Sequence, residues 1–294
     1  MVLEMREPNW RDLLRRHGIR PNKRFGQHFL LDGTRLQSIV DVAELPPASR
    51  VLEIGAGVGT LTWHLARAGH RVVAVELDRR LAPALEETVA GLPQVRLVYG
   101  DILTLPLGSL HGGQPHAVVA NIPYGITSTL LRRLMEAEMP AFRVVLTVQH
   151  EVAERVVSRP GEMNLLALSV QVYGEARIAA VLPASAFHPP PEVDSAVLRI
   201  DRYEHPKVSK EHIGWFFDLS RAGFSQRRKK LRNALASALP APTERVETWL
   251  AESGLSPSAR AQELAIDDWL RLSAAAANDR PGDARITPSG EVGL

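Results

Sequence analysis

The sequence contains no cysteine. That excludes a disulfide framework, a thiol nucleophile and a cysteine-ligated zinc, and it accords with a reducing cytosol. No run of 18 apolar residues occurs, so nothing in the sequence reads as a bilayer span. The basic N-terminal stretch carries Glu4, Glu7 and Asp12 and lacks an apolar core, unlike a secretory signal or an acid-poor transit peptide. The ten histidines show no ligand-like clustering, and no metal site is expected. No internal repeat is visible.

At 294 residues the chain is long enough for two domains. Apolar residues make up 45% and charged residues 23%, the balance of an ordinary globular protein. Net charge is only +2, but it is unevenly distributed. Residues 221–232 hold six Lys/Arg and no acid, and residues 11–35 hold seven Lys/Arg and two acids. The remainder has 22 basic and 31 acidic residues. Two basic clusters on an otherwise acidic body point to a polyanion partner, against the plainer reading of solvated helix faces.

Between residues 50 and 150, short apolar runs alternate with helix-like stretches: RVLEI, RVVAV, VRLVY, HAVVA and FRVVLTV. Strands that are apolar on nearly every residue are those covered by helices on both faces. Segments 58–68, 78–90 and 126–137 are long enough to be the crossover helices of a parallel, doubly wound sheet. After residue 203 the pattern becomes helical, over 209–221, 224–238, 243–253 and 266–276. The predicted organisation is an α/β domain over 1–203 with a basic arm at 1–35, and a small helical domain over 204–276. The polar, Gly- and Pro-rich stretch 277–294 reads as a disordered tail.

The first strand runs into VLEIGAGVG, with Gly55, Gly57 and Gly59 at the turn and Glu53 just before it. Glycines there let the backbone turn sharply and let a ligand approach the main chain. Glu76, 21 residues after Gly55, falls at the tip of the second strand, where a carboxylate can accept both ribose hydroxyls of a nucleoside. Spacing G-x-G-x-G favours the zwitterionic methyl donor S-adenosylmethionine over a dinucleotide, whose pyrophosphate is cradled by G-x-G-x-x-G. A merely tight strand–helix turn is the alternative. Asp101, at the third strand tip, can accept from an adenine amino group or simply make an Asx-turn.

The fourth strand leads into Asn121-Ile122-Pro123-Tyr124. The side-chain oxygen of Asn121 and the Ile122 carbonyl are two acceptors for the two hydrogens of an exocyclic amino group. Binding both draws that nitrogen toward tetrahedral geometry, while Pro123 fixes φ and removes a donor. Tyr124 offers a face for a flipped base. No strong base is needed, because a sulfonium is already an activated leaving group. Rate then comes from alignment and charge stabilisation. In isolation the same four residues would be an ordinary turn with a packed aromatic.

Taken together, these motifs resemble the KsgA-type 16S rRNA adenine-N6 dimethyltransferases over roughly residues 20–275. FGQHFL (Phe25 to Leu30), LEIGAGVGTLT, VELD, GDIL and NIPY are similar to the family's successive motifs. FHPPPEVDSAVLRI (Phe187 to Ile200) and FSQRRKKLRNAL (Phe224 to Leu235) match two later and more specific signatures. The resemblance implies a Rossmann-like class I methyltransferase domain and S-adenosylmethionine as cofactor. It implies cofactor contacts at His28, Leu30, Gly55, Glu76, Asp101 and Asn121, with Gln27, Glu53, Gly57, Leu77 and Ile102 completing the set. Asn121, Ile122, Pro123 and Tyr124 would hold the target adenine, with Phe187 stacking on its other side. Phe187 precedes three prolines, and a core phenylalanine anchoring that loop is the competing account. Departures from the family pattern are His28 and Gly125, where Asn is frequent, and 158–170, which lacks a tyrosine-glycine pair.

Double-stranded RNA hides its base edges, so a target adenine must lie in a loop or be flipped out. The resemblance implies two adjacent adenines in the 3′-terminal hairpin loop of 16S rRNA, within the assembling small subunit. Arg227, Arg228, Lys229, Lys230 and Arg232 are expected to bind phosphates, with Arg20, Lys23 and Arg24 as a second contact. On one helix such closely spaced cations cannot share a face, so some are expected to pair with acids. A monomeric cytoplasmic enzyme is expected. The rival readings are an Erm-type 23S rRNA methyltransferase and a non-catalytic ribosome-assembly factor that keeps the fold. DNA adenine methylation fits less well, since its fourth motif is usually D/N-P-P-Y/F.

Overall fold

A computed structural model describes residues 6–22, 26–226 and 228–280 of the chain. Lys23, Arg24 and Arg227 of the expected RNA contacts, Phe25 of the first motif, and the tail from 281 onward lie outside the described residues.

The chain divides into two compact units: residues 1–153 with 176–202, and 154–175 with 203–294. The first begins with α1 (Trp10–Arg16), β1 (Phe29–Leu30) and α2 (Gly33–Ala43). Strands β2 (Arg50–Ile54), β3 (Arg71–Glu76), β4 (Val95–Tyr99), β5 (Ala117–Asn121) and β6 (Arg143–Gln149) then alternate with α3 (Thr60–Arg67), α4 (Ala82–Val89), α5 (Leu107–His111) and α6 (Thr127–Met135). Their order is β4-β3-β2-β5-β6, all parallel, in register from Arg50↔Arg71 on one side and Ala117↔Arg143 on the other. The apolar runs are buried on both faces, as their composition predicts: β5 exposes none of Ala117 to Ala120.

After α7 (His150–Val156) and α8 (Leu165–Gln171), β7 (Gly174–Leu182) and β9 (Ser195–Arg202) extend the sheet to seven strands. β9 runs antiparallel to β6, from Arg143↔Asp201 to Gln149↔Ser195. Between them β8 (Phe187–His188) makes a two-stranded sheet with β1, pairing Leu30 with Phe187.

The second unit contains α9 (Ile213–Phe224), α10 (Leu231–Ala238), α11 (Thr243–Glu252) and α12 (Ile266–Ala275). It differs from the predicted organisation in three ways. Residues 154–175, expected in the α/β domain, belong with the helices. The Gly161 and Met163 amides donate to the Gln262 carbonyl at 2.8 and 3.1 Å, and the Lys207 amide to Val172 at 2.8 Å. The predicted helix 224–238 is broken, because α9 ends at Phe224 and α10 begins only at Leu231. Finally, Ala277–Asp279, expected in the tail, make a 3₁₀ turn whose Asp279 carboxylate accepts from Arg245 at 2.7 Å and from the Trp249 indole at 2.8 Å. No helix among the described residues is long and apolar enough to cross a membrane.

Candidate active site

The strand order reverses between β2 and β5, and ligand crevices in such sheets open at the C-terminal strand ends beside that reversal. Gly55, Glu76, Asp101 and Asn121 all lie at those ends. The Gly55 and Ala56 amides close the turn by donating to the Val75 carbonyl at 2.8 and 3.1 Å. Gly55, Gly57 and Gly59 take φ of 75°, 62° and 87°, where a side chain is strained. A Cβ on Gly57 would also sit 3.3 Å from the Phe29 ring, and one on Gly59 would meet Thr88 at 2.8 Å. Gly57 therefore serves the close approach of Phe29, and Gly59 serves the approach of α3 to α4.

Glu76 is 6% exposed and its carboxylate is already oriented. Oε2 accepts from the Gly57 amide and Oε1 from the Asp78 amide, both at 2.7 Å. Each oxygen keeps a second lone pair, which a vicinal diol can use. Burial raises the Glu76 carboxyl above its ordinary value, and the two amides oppose that rise. Glu53 lies deeper, at 1% exposed, and its Oε2 has no hydrogen-bond partner among the described residues. Burial pushes its carboxyl up to about 8, with the Glu76 charge adding and Thr62 opposing. Asp101 does make the Asx-turn, accepting from the Leu103 amide at 2.9 Å through Oδ1. Leu77 is half exposed at the same edge, and Ile102 is buried.

Residues 26–30 of the N-terminal arm lie against the rim of this crevice, near Gly57, Asn121 and Pro123. Gln27 spends its side chain as a strut: Oε1 accepts from the Asn22 amide at 2.9 Å, and Nε2 donates to Asp78 at 2.8 Å. Arg80 holds that Asp78 carboxyl below the usual range. His28 donates from Nδ1 to the Pro189 carbonyl at 2.7 Å, since a carbonyl can only accept. Its ring lies nearly parallel to Tyr124, at 16° and 5.8 Å between centroids. The Asn121 amide nitrogen points at the His28 carbonyl, 3.4 Å away, which leaves the Asn121 Oδ1 for another donor. Leu30 is buried at 1% exposed, so its side chain does not line the crevice. Ile122 likewise buries its side chain, and Pro123 sits at φ −60° and ψ 132°, starting the 3₁₀ turn that carries Tyr124.

Phe187 requires a correction. It is 4% exposed and belongs to the core cluster with Phe29 and Leu30, so the structure places it as the anchor of its loop rather than as a presented stacking face. The composition of FHPPP fits both arrangements, and only the pairing of β8 with β1 distinguishes them. Two residues outside the expected set also bear on the site. Asp78 holds Gln27, and Ser195 lies 2.6 Å, Oγ to Oη, from Tyr124. VELD, with its second acid, was a signal for Asp78. Ser195 lies inside the FHPPPEVDSAVLRI motif, but nothing in that motif ties it to Tyr124, 71 residues away.

In the second unit Arg228, Lys229 and Lys230 are exposed on the connection between α9 and α10, and none makes an ion pair with a described residue. Arg232, inside α10, is tied to Glu247 at 2.7 Å. In the first unit Arg20 is exposed, while its neighbour Arg16 pairs with Asp12 and Glu87.

A glycine turn, a ribose-type carboxylate on the next strand and an amide-bearing NIPY turn on the far side of the crevice define a class I S-adenosylmethionine-dependent methyltransferase. The fit is supported by the positive-φ glycines and by the spare lone pairs of Glu76. Residues 18–278 match the model of the ribosomal RNA adenine dimethylase family, and the chain belongs to that family. It is 40% identical over 263 residues to ribosomal RNA small subunit methyltransferase A of Dehalococcoides mccartyi, covering 89% of this chain and 90% of that protein. The same-named protein of a Synechococcus is 42% identical over 281 residues, covering 92% and 98%. Among solved structures, the 23S rRNA methyltransferase ErmE is similar with a TM-score of 0.69 and 30% identity, covering 84% of this chain and 98% of ErmE. A Plasmodium falciparum dimethyladenosine transferase shares the fold at a TM-score of 0.70 and 24% identity, over 85% and 98%.

Proposed function

We propose that this protein transfers methyl groups from S-adenosylmethionine to N6 of adenines in small-subunit rRNA, two per base, on two adjacent adenines of the 3′-terminal hairpin loop. It acts in the cytoplasm, as a monomer, on the assembling small subunit. The observation that carries the reading is the Asn121 amide, whose nitrogen is directed at the His28 carbonyl while its oxygen is left for an incoming amino group. Identity of 40% and above to small-subunit enzymes over nearly the full chain favours the 16S-type substrate over the 23S type. NIPY with Glu76 and Asp101 intact argues against a purely structural assembly factor.

Glu76 would receive the ribose, Asp101 the adenine amino group, and the Gly55–Gly57 backbone with the main chain of His28 and Leu30 the methionine end. When bound, S-adenosylmethionine supplies a methyl group on a sulfonium, an electrophile that needs no activation. Asn121 Oδ1 and the Ile122 carbonyl accept the amino hydrogens of the target base. Positive charge growing on that nitrogen is stabilised by two oxygens already in place, which lowers the barrier without reorganisation. Tyr124 stacks the base, and the arm at the rim of the crevice excludes water. Arg20, Lys23, Arg24, Arg227, Arg228, Lys229 and Lys230 contact phosphates, whereas Arg232 is committed to Glu247.

The test is mass mapping of rRNA after incubation of undermethylated small subunits or free 23S rRNA with the protein and S-adenosylmethionine. Adjacent dimethyladenines in the 16S hairpin are expected, and Asn121→Ala should lower kcat by about 100-fold. Modification confined to 23S rRNA, or a near-normal rate in Asn121→Ala, would overturn the reading.

A further inference from the structure

Ser195 opens β9 and is completely buried, its main chain held opposite Gln149 of β6. Its hydroxyl is not needed for that pairing. It is directed instead at Tyr124, with Oγ 2.6 Å from Oη. Burial raises the Tyr124 phenol and the Ser195 contact opposes it, so the pair is neutral at physiological pH and shares an ordinary hydroxyl–hydroxyl bond.

Tyr124 stands on a single 3₁₀ turn, a short support for a ring that must define a plane. Two contacts beyond that turn restrain it. The Ser195 hydroxyl holds the far end of the ring, and the parallel His28 imidazole, itself tied to the Pro189 carbonyl, lies across from it. A ring fixed at one end only can swing, and a base stacked on it swings too. Methyl transfer is sensitive to this, because an error of about 1 Å in the reacting geometry costs roughly 100-fold.

We propose that Ser195 is a positioning residue for methyl transfer, acting through the Tyr124 hydroxyl to fix the plane on which the target adenine stacks. This rests on the reading that Tyr124 receives that adenine.

The test uses the full chain with undermethylated small subunits, measuring kcat and KM for RNA, and S-adenosylmethionine affinity by calorimetry. Ser195→Ala and Tyr124→Phe should each lower kcat/KM for RNA by about three- to tenfold. Cofactor affinity should not change, and Ser195→Thr, which keeps a hydroxyl, should recover much of the rate. The double variant Ser195→Ala/Tyr124→Phe should be no slower than either single one, because both remove the same bond. If the single effects multiply, or Ser195→Ala stays within twofold of the unaltered protein, the proposal is wrong. Tyr124→Phe carries the same test should Ser195→Ala fail to fold, and a rate within twofold of normal there is equally fatal. Tyr124→Ala separates the two levels. Activity retained in it removes the stacking role itself, whereas activity lost in it but kept in Ser195→Ala removes only the role of Ser195.

Discussion

Replacing Glu53 with glutamine should change how the stability of the cofactor-free protein depends on pH. An unfolded glutamate titrates near 4.5, while burial holds the folded Glu53 carboxyl near 8. Between these values the native state retains a proton that the unfolded state has lost. Stability is therefore undiminished below pH about 4.5 and falls as pH rises, by about 1.4 kcal/mol per pH unit, levelling off above pH 8. At pH 7 the accumulated penalty is about 3 kcal/mol. Glu53→Gln cannot ionise and removes this slope. Its absolute stability is less informative, because a buried amide brings a donor that costs about 1–3 kcal/mol if unpaired. The slope is the observable. Urea unfolding of both proteins, followed by circular dichroism at intervals from pH 5 to 8.5, should give curves that diverge steadily. Parallel curves would show that Glu53 ionises freely in the folded state, and that its environment is wetter than its 1% exposure implies.

Other perturbations follow from the same geometry. Gly57→Ala places a side chain at φ 62° and 3.3 Å from Phe29, so S-adenosylmethionine binding measured by calorimetry should weaken about tenfold. Replacing Arg228, Lys229 and Lys230 together by alanine should flatten the dependence of log K for RNA on log salt by about 2, leaving cofactor affinity intact. Gly223→Ala would bring a methyl to 2.5 Å from Trp269 and 2.9 Å from Leu231. Overpacking should destabilise the helical unit by about 1–3 kcal/mol despite the better helix propensity, measured as a drop in urea midpoint.

The sheet was legible because burial on two faces leaves uninterrupted apolar runs. RVLEI, RVVAV and VRLVY became β2, the body of β3 and β4, and Gly55, Glu76, Asp101 and Asn121 fell at strand ends as their spacing implied. Other features depend on contacts that spacing does not encode. Residues 154–175 look like one more helical excursion from the sheet, and only their bonds to Gln262 and Lys207 reveal which unit claims them. The run QRRKKLR has helical composition throughout, yet α10 begins only at Leu231, whose amide donates instead to the Ala259 carbonyl at 2.8 Å. Phe187 and Ser195 share one motif but diverge in role, since one pairs with the arm and the other reaches Tyr124.

The interleaving of the two units has a consequence for biosynthesis. The hairpin around Gly161 and Met163 leaves the ribosome about 100 residues ahead of Gln262, which at 5–20 residues per second is a wait of roughly 5–20 s. During that interval nascent α8 has no complete helical bed, although the antiparallel strand β9, which begins at Ser195, 21 residues after β7 begins at Gly174, is made well before Gln262. The nascent chain thus finishes its sheet before it can finish its bundle, and any factor that attends this polypeptide during translation meets it with that helix still unsheltered.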